Sequence, residues 1–244
     1  WVVNSSDRTI IAHFLGTAAN GVYSIANKFP NVFINFYNIL NLSWTETVSL
    51  HFDDEDRDEF LTETMTSLFK LFAAACFGIV ACMPFVFPIL INEKYVAGYD
   101  QILILMYAML FRVLVGLYSC IYVAQKNAKK IAYTSISAAI INITVNLILI
   151  NKIKIFAASI STLVAFFSMF IIRYIDVNKT VHMRIRKPII IGSILIGTML
   201  MGTYYCENKM IQLIALCITA IYAVLTNVDM LKSGMKLVKS RFGK

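Results

Sequence analysis

Long stretches of the chain contain no Asp, Glu, Lys or Arg, and their length predicts helices that cross a lipid bilayer. Because an α-helix rises about 1.5 Å per residue, about 20 apolar residues span the hydrocarbon core. A further stretch, Gln101–Gln125, is interrupted by one charge, Arg112. The uninterrupted stretches are Leu71–Asn92, Ile131–Asn151, Ile155–Ile172, Pro188–Cys206 and Met210–Val228.

The first 50 residues predict two more helical segments. Thr17–Leu50 is too long for one untilted crossing and contains Pro30, so we expect one long, kinked helix. Trp1–Leu15 predicts the end of a helix whose start is missing, since the chain begins with Trp and not Met. The pattern therefore predicts an all-α polytopic membrane bundle of about eight segments, the first truncated, with residues 1–244 as a single membrane domain.

Composition excludes the common alternatives to a membrane protein. Hydrophobic residues make up 59% of the chain, charged residues 15%, and the mean hydropathy is +0.71. An ordinary soluble enzyme has fewer apolar and more charged residues, and a disordered tail has low hydrophobicity.

The net charge of +8 follows from topology. When the predicted loops are assigned alternately to the two sides, most Lys and Arg residues fall on one side, in a basic loop at 173–187, a basic tail at 232–244 and around Lys126–Lys130. The positive-inside rule places this side, with the C-terminus, in the cytoplasm. No nucleic-acid partner is needed to explain the charge.

An acidic loop at 51–67 is predicted on the same side as the basic loops. Its acids are nearly contiguous and no Gly interrupts them, unlike a calcium-binding EF-hand loop. We therefore expect a solvated loop and helix start, and a partner for the basic loops.

Three cations are predicted within the membrane. Arg8, Lys28 and Arg112 lie about 11, 15 and 16 Å from the outer surface, at about 1.5 Å per residue. A charge at such depth is costly and usually faces a cavity or a partner. One interpretation is an electropositive cavity for a phosphate or carboxylate. The alternative is pairing with Asp7 or Glu46, and Arg8 could instead extend outward to the interface.

The long helix also carries a polar stripe. Its members recur every three or four residues and share one face: Ser24, Lys28, Asn31, Asn35, Asn38, Asn41 and Thr45. Such a face lines water or binds neighbouring helices through hydrogen bonds, and we favour the lining role for Asn35 and Asn38. For Asn142 and Asn146, hydrogen bonding to a neighbouring helix is the favoured interpretation.

No catalytic constellation is present, so the sequence predicts a protein that is not an enzyme and has no cofactor or metal. Serine-hydrolase, zinc-protease and phosphate-loop motifs are absent. The five cysteines form no CxxC pair.

Several local patterns occur in an order that resembles the polysaccharide flippases of the multidrug/oligosaccharidyl-lipid/polysaccharide exporter superfamily. The patterns are Ser6-Asp7-Arg8, Phe14-Leu15-Gly16, Gly21-Val22-Tyr23-Ser24-Ile25-Ala26-Asn27-Lys28, Pro84 and Pro88 before Asn92-Glu93-Lys94-Tyr95, Asn142 with Asn146 and Asn151, and Ala157-Ala158-Ser159. The resemblance covers nearly the whole chain as a C-terminal half. The segment before Ala157 lacks the glycine expected there.

The resemblance implies one lobe of a two-lobe exporter in the bacterial cytoplasmic membrane, with a missing N-terminal lobe as partner. By alternating access it would move lipid-linked saccharides of the polyprenyl diphosphate type, used for O-antigen, capsule or a similar polymer. Arg8, Lys28 and Arg112 would bind the anionic part of the substrate. Asp7 is a candidate ion-coupling residue.

Two alternatives stay open. A multidrug or small-cation exporter of the same superfamily needs acidic residues in its cavity, and Asp7 is the main candidate. A membrane polysaccharide polymerase would need a large external loop, but the predicted external loops are short.

Overall fold

A computed structural model of the protein describes residues 2–233 as a bundle of helices. The helices are α1 (Val2–Leu15), α2 (Thr17–Ala26), α3 (Lys28–Leu50), α4 (Arg57–Leu90), α5 (Tyr99–Ala124), α6 (Ala128–Ile153), α7 (Ile155–Val177), α8 (Lys187–Tyr204) and α9 (Lys209–Thr226). A short 3₁₀ helix, Glu93–Gly98, precedes α5. Residues 2–233 contain no β-strand, which confirms the all-α prediction for this part of the chain.

Six helices, α4 to α9, are long and apolar enough to cross a membrane. They coincide with the six apolar stretches in the sequence, but the predicted number of about eight segments is wrong for the described residues. Helix α1 covers only 14 residues. The helix predicted over Thr17–Leu50 is divided at Asn27, and the asparagines of α3 lower its hydropathy.

The connections between helices gather at two ends of the bundle. One end, here called the basic end, contains residues 51–56, 125–127 and 178–186. The opposite end contains Gly16, Ile91–Gly98, Lys154 and residues 205–208.

Contacts at the basic end join the acidic and basic segments, as expected from the sequence. The Arg186 guanidinium donates to the Glu63 carboxylate at 2.7 Å, and the backbone N–H of His182 donates to Asp58 at 2.9 Å. Both acids belong to α4, which begins at Arg57, so much of the 51–67 segment is helical. Of the predicted tail 232–244, residues from 234 onward lie outside the described part.

Helix α5 is the most buried of the six described helices that could cross a membrane, and it packs between α3 and α7. Gly116 permits its close approach to α3, because a Cβ there would collide with the Tyr37 hydroxyl. One position along, the Trp44 indole N–H donates to the Leu117 carbonyl at 3.1 Å. This contact fixes the position of α3 against the core.

Two prolines interrupt the hydrogen bonding of α4 near the opposite end. Pro88 has no N–H, so the Pro84 carbonyl lacks its helical donor. The Lys209 ammonium, at the start of α9, donates to this carbonyl at 3.0 Å and lies 5.5 Å from the Phe85 ring centroid. A side chain from α9 thus satisfies the backbone of α4.

Candidate functional site

The polar stripe of α3 is exposed on the surface of the chain. The side chains of Lys28, Asn31, Asn35 and Asn38 are exposed, and none of them forms a hydrogen bond or ion pair with another described residue. The buried side of α3 packs on the core through other residues, including Phe33 at 1% exposure. Within the described chain, therefore, Asn35 and Asn38 do not bind neighbouring helices together.

The exposed surface of α3 also contains apolar side chains. Val32 is 68% exposed and Ile39 73%, and both lie beside the polar stripe on the helix. This surface, here called the α3 face, is formed by the exposed polar stripe together with Val32, Phe36 and Ile39. It is amphipathic, and it offers both hydrogen-bonding groups and apolar contact area.

The part of the polar stripe that lies nearer the basic end contacts α5. Asn41 accepts a hydrogen bond from the Tyr37 hydroxyl at 2.5 Å, and its side chain lies 3.7 Å from the Cys120 sulfur. Thr45 contacts the same sulfur at 3.2 Å. The stripe is therefore exposed at Asn35 and Asn38, but it lies between α3 and α5 at Asn41 and Thr45.

Arg112 lies on the same side of α5 as Gly116 and Cys120, which are one and two helical turns further along and contact α3. Its side chain is half-buried. The guanidinium lies 5.8 Å from the Phe166 ring centroid, and its Nη1 is 4.0 Å from the Met109 sulfur. No described carboxylate forms an ion pair with it.

The other two predicted cations, Arg8 and Lys28, are exposed and unpaired among the described residues. The structure does not bring Arg8, Lys28 and Arg112 into contact with one another. Lys28 shares the α3 face with the asparagines, Arg112 lies at the junction of α3 and α5, and Arg8 projects from α1. Any common role for them depends on a ligand or second surface that reaches all three.

Asp7 lies at the centre of a buried polar cluster and does not pair with any of these cations. Its side chain is 1% exposed. It accepts hydrogen bonds from the Thr162 hydroxyl at 2.6 Å, the Asn146 amide at 2.9 Å and the Tyr23 hydroxyl at 3.2 Å. The donors come from three helices, α7, α6 and α2.

Asn142 extends this cluster by one turn of α6. Its amide donates to the Ser161 and Thr162 hydroxyls at 3.2 and 3.4 Å, and its carbonyl accepts from the Ser6 hydroxyl at 3.2 Å. The expected hydrogen bonding of Asn142 and Asn146 to neighbouring helices is confirmed. These contacts join α6 to both α1 and α7.

The cluster has the chemistry of a proton or hard-cation site. An isolated buried carboxylate is unfavourable unless it is protonated or balanced by a cation, and the three donors to Asp7 are neutral. The side-chain oxygen of Asn146 is buried beside it without a partner. Carboxylate, amide and hydroxyl oxygens suit alkali or alkaline-earth cations rather than soft metals. Among the described residues no group of three His, Cys, Asp or Glu side chains could hold a metal.

Arg173 is an important buried cation that the sequence pattern did not reveal. The structure places it inside α7, at 2% exposure, and not in a loop. Its guanidinium donates to the Thr134 hydroxyl at 2.9 Å, to the Val115 carbonyl at 3.2 Å and to the Ser119 hydroxyl. Arg173 therefore joins α5, α6 and α7 near the basic end. From the sequence alone it is predicted to begin the basic loop at 173–187, because it directly follows the apolar stretch that ends at Ile172.

The sequence also did not identify Tyr23 and Thr162 as partners of Asp7, because neither forms part of a charged or repeated pattern. In the structure their hydroxyls donate hydrogen bonds to the Asp7 carboxylate, which lies on α1.

The described residues have the architecture of a multi-pass helical membrane protein, with an exposed amphipathic face on α3 and a buried carboxylate cluster around Asp7. No protein-family model, no curated protein and no solved structure matches the chain.

Proposed function

We propose that the protein translocates lipid-linked saccharides of the polyprenyl diphosphate type across the bacterial cytoplasmic membrane. In this proposal the chain is the C-terminal lobe of a two-lobe exporter that works by alternating access, and its C-terminus lies in the cytoplasm. Its α3 face borders the cavity between the lobes. No chemical conversion of the substrate is part of the proposal.

The exposed α3 face is the observation that carries the proposal. Lys28, Asn31, Asn35 and Asn38 have no described partner, and side chains of this kind are unfavourable against lipid tails. A water-filled cavity provides the solvation that they need. The neighbouring apolar groups, such as Ile39, suit a substrate that is itself amphipathic.

Charge supports an anionic substrate. Lys28 and Arg112 have no carboxylate partner among the described residues, so their charges are available to a ligand. A guanidinium binds phosphate oxygens through two parallel hydrogen bonds, and a diphosphate offers several such oxygens.

Asp7 supports coupling to an ion gradient. Its cluster joins α1, α2, α6 and α7, so binding or release of a proton or cation there changes the contacts among four helices. Coupling requires that the ion bind one arrangement of these helices better than another. In this proposal the ion binds at Asp7, and its affinity for Asp7 differs between the two arrangements.

Export of cationic drugs is less well supported. A cationic substrate needs an accessible acid near the cavity, but Asp7 is 1% exposed and is already bonded by three donors. The exposed Glu46 lies within the last two turns of α3, near the basic end and far from Lys28. A polymerase is also less favoured, because the longest connection at the opposite end of the described bundle is Ile91–Gly98.

The test is a translocation assay with the full-length protein in liposomes. A fluorescent lipid-linked oligosaccharide diphosphate is placed in one leaflet, and its appearance in the other is measured. We expect translocation that is inhibited by excess polyprenyl diphosphate and unaffected by a lipophilic cationic dye. Transport of the dye, with no movement of the saccharide lipid, would instead identify a drug exporter.

A further inference from the structure

A groove of about 680 Å³ lies at the basic end, on the outer side of α6 and α7. The first turns of α6 and the last turns of α7 form its walls, and Tyr122 of α5 contributes to its floor. No residue of α3 lines it, so it is separate from the α3 face.

Three lysines surround this groove: Lys129, Lys130 and Lys179. Asp176 is the only acid in its lining, and it contacts two of them, Lys130 at 2.6 Å and Lys179 at 3.9 Å. Lys129 is exposed and has no ion-pair partner among the described residues. One carboxylate thus faces three ammonium groups, and the groove keeps an excess of positive charge.

The remaining wall is apolar and exposed. Ile172 is 40% exposed, Ile175 55% and Tyr133 75%, and all three lie on helices long and apolar enough to span the membrane. Tyrosine is enriched where the hydrocarbon core meets the headgroups. The groove therefore has a basic rim that leads onto a surface suited to acyl chains.

Its floor is held in place by a buried network. The Thr134 hydroxyl lines the groove and accepts hydrogen bonds from Arg173 at 2.9 and 3.1 Å. The Tyr122 hydroxyl donates to Asp176 at 2.9 Å. Thr134, Tyr122 and Asp176 are therefore held in place before any ligand arrives.

We propose that this groove binds the phosphate headgroup of an anionic phospholipid of the surrounding bilayer. The lysines contact the phosphate, and the acyl chains lie along Ile172 and Ile175. Basic pockets between membrane helices are suited to such headgroups. The apolar wall distinguishes this ligand from free phosphate, which would gain nothing from it.

The experiment measures lipid binding to the full-length protein in detergent, with phosphatidylglycerol, phosphatidylcholine and inorganic phosphate as probes. The test variant is Lys129→Gln with Lys179→Gln, which keeps the Lys130–Asp176 pair. The matched control is Lys94→Gln with Lys152→Gln, which removes the same charge at the opposite end of the bundle. Thermal unfolding without lipid verifies that both variants are folded, and the single Lys129→Gln change replaces the test variant if that one is unstable.

We expect phosphatidylglycerol to bind the native protein more tightly than phosphatidylcholine. The test variant should weaken this binding about tenfold or more, because each lysine near anionic lipid contributes substantially to attraction, whereas the control should change it less than about twofold.

Three results would overturn the proposal. Equal weakening in the control variant would show a general charge effect. Binding of inorganic phosphate as tight as that of phosphatidylglycerol would identify a free-anion site. Stronger binding of polyprenyl diphosphate, lost in the same variant, would assign the groove to the transported lipid.

Discussion

Arg112 keeps a positive charge at membrane depth with no carboxylate beside it, and it lies where α3 and α5 meet. If it binds the substrate phosphate, Arg112→Ala should reduce translocation by at least about tenfold at a normal membrane level. Arg112→Lys should retain part of the activity, because the charge remains while the planar two-pronged contact is lost. Arg112→Glu should be at least as harmful as Ala, since it repels a phosphate.

The measurement is the liposome translocation assay, with protein level determined by immunoblot of the membranes. Arg184→Ala, at an exposed arginine of the basic end, is the control and should transport normally. Full activity of Arg112→Ala would remove Arg112 from the binding site.

Asp7 is the second residue whose proposed role can be tested with a single substitution. Asp7→Asn keeps the shape and still accepts hydrogen bonds through its one oxygen, while its NH₂ group donates to a hydroxyl, but it cannot carry a proton or a negative charge. We expect this variant to reach the membrane normally and to lose the response of transport to an imposed proton or sodium gradient. Exchange of substrate without a gradient should persist.

The control for Asp7 is Asp7→Ala. This change leaves the Tyr23, Asn146 and Thr162 donors unpaired, so it should lower thermal stability as well. Gradient-driven accumulation by the Asn variant at the native rate would exclude Asp7 from coupling.

Among the elements, α3 and α6 use asparagine in contrasting ways. Asn35 and Asn38 are exposed without partners, whereas Asn142 is fully buried and bonded. Replacing Asn35 or Asn38 with Leu should therefore impair translocation severalfold and leave protein abundance unchanged. Asn142→Leu should instead reduce abundance and unfolding temperature, because it removes hydrogen bonds that join α6 to α1 and α7 and together contribute roughly 1–3 kcal/mol of stability. If Asn35→Leu lowers abundance as much as Asn142→Leu, α3 has a structural and not a lining role.

The six long apolar helices were predictable because the signal lies in consecutive residues. A run without charges is sufficient to mark each of them. The division of α2 from α3 at Asn27 and the burial of Arg173 were not predictable in this way. They depend on neighbours distant in sequence, such as Thr134, which lies 39 residues from Arg173.

The candidate site shows the same limit. The sequence indicated Asp7, Asn142 and Asn146 separately, through their chemistry at membrane depth. Their assembly depends on contacts across 139 residues, as between Asp7 and Asn146, and no local pattern contains that information.

For the whole molecule, orientation in the membrane is the main property to test. The positive-inside rule predicts that the basic end lies in the cytoplasm and that Cys206, at the opposite end, faces outward. A membrane-impermeant maleimide applied to intact cells should label the protein, and Cys206→Ser should remove most of the label. Cys217 is exposed on the chain but lies mid-way along the apolar helix α9, where a membrane-impermeant reagent does not reach it.

The control for orientation introduces a cysteine at Thr180, at the basic end, in the Cys206→Ser background. This position should be labelled only after the cells are opened. Labelling of Thr180→Cys in intact cells would reverse the assigned orientation.

The contact between Lys209 and the Pro84 carbonyl has a consequence for biosynthesis. The two residues are 125 positions apart in the chain. At about 5–20 residues per second, the ribosome makes Lys209 roughly 6–25 s after Pro84. During that interval the carbonyl freed by Pro88 has no side-chain donor from α9. The end of α4 at Pro84 therefore reaches its final hydrogen bonding only after the ribosome has produced the start of α9, five helices later in the chain.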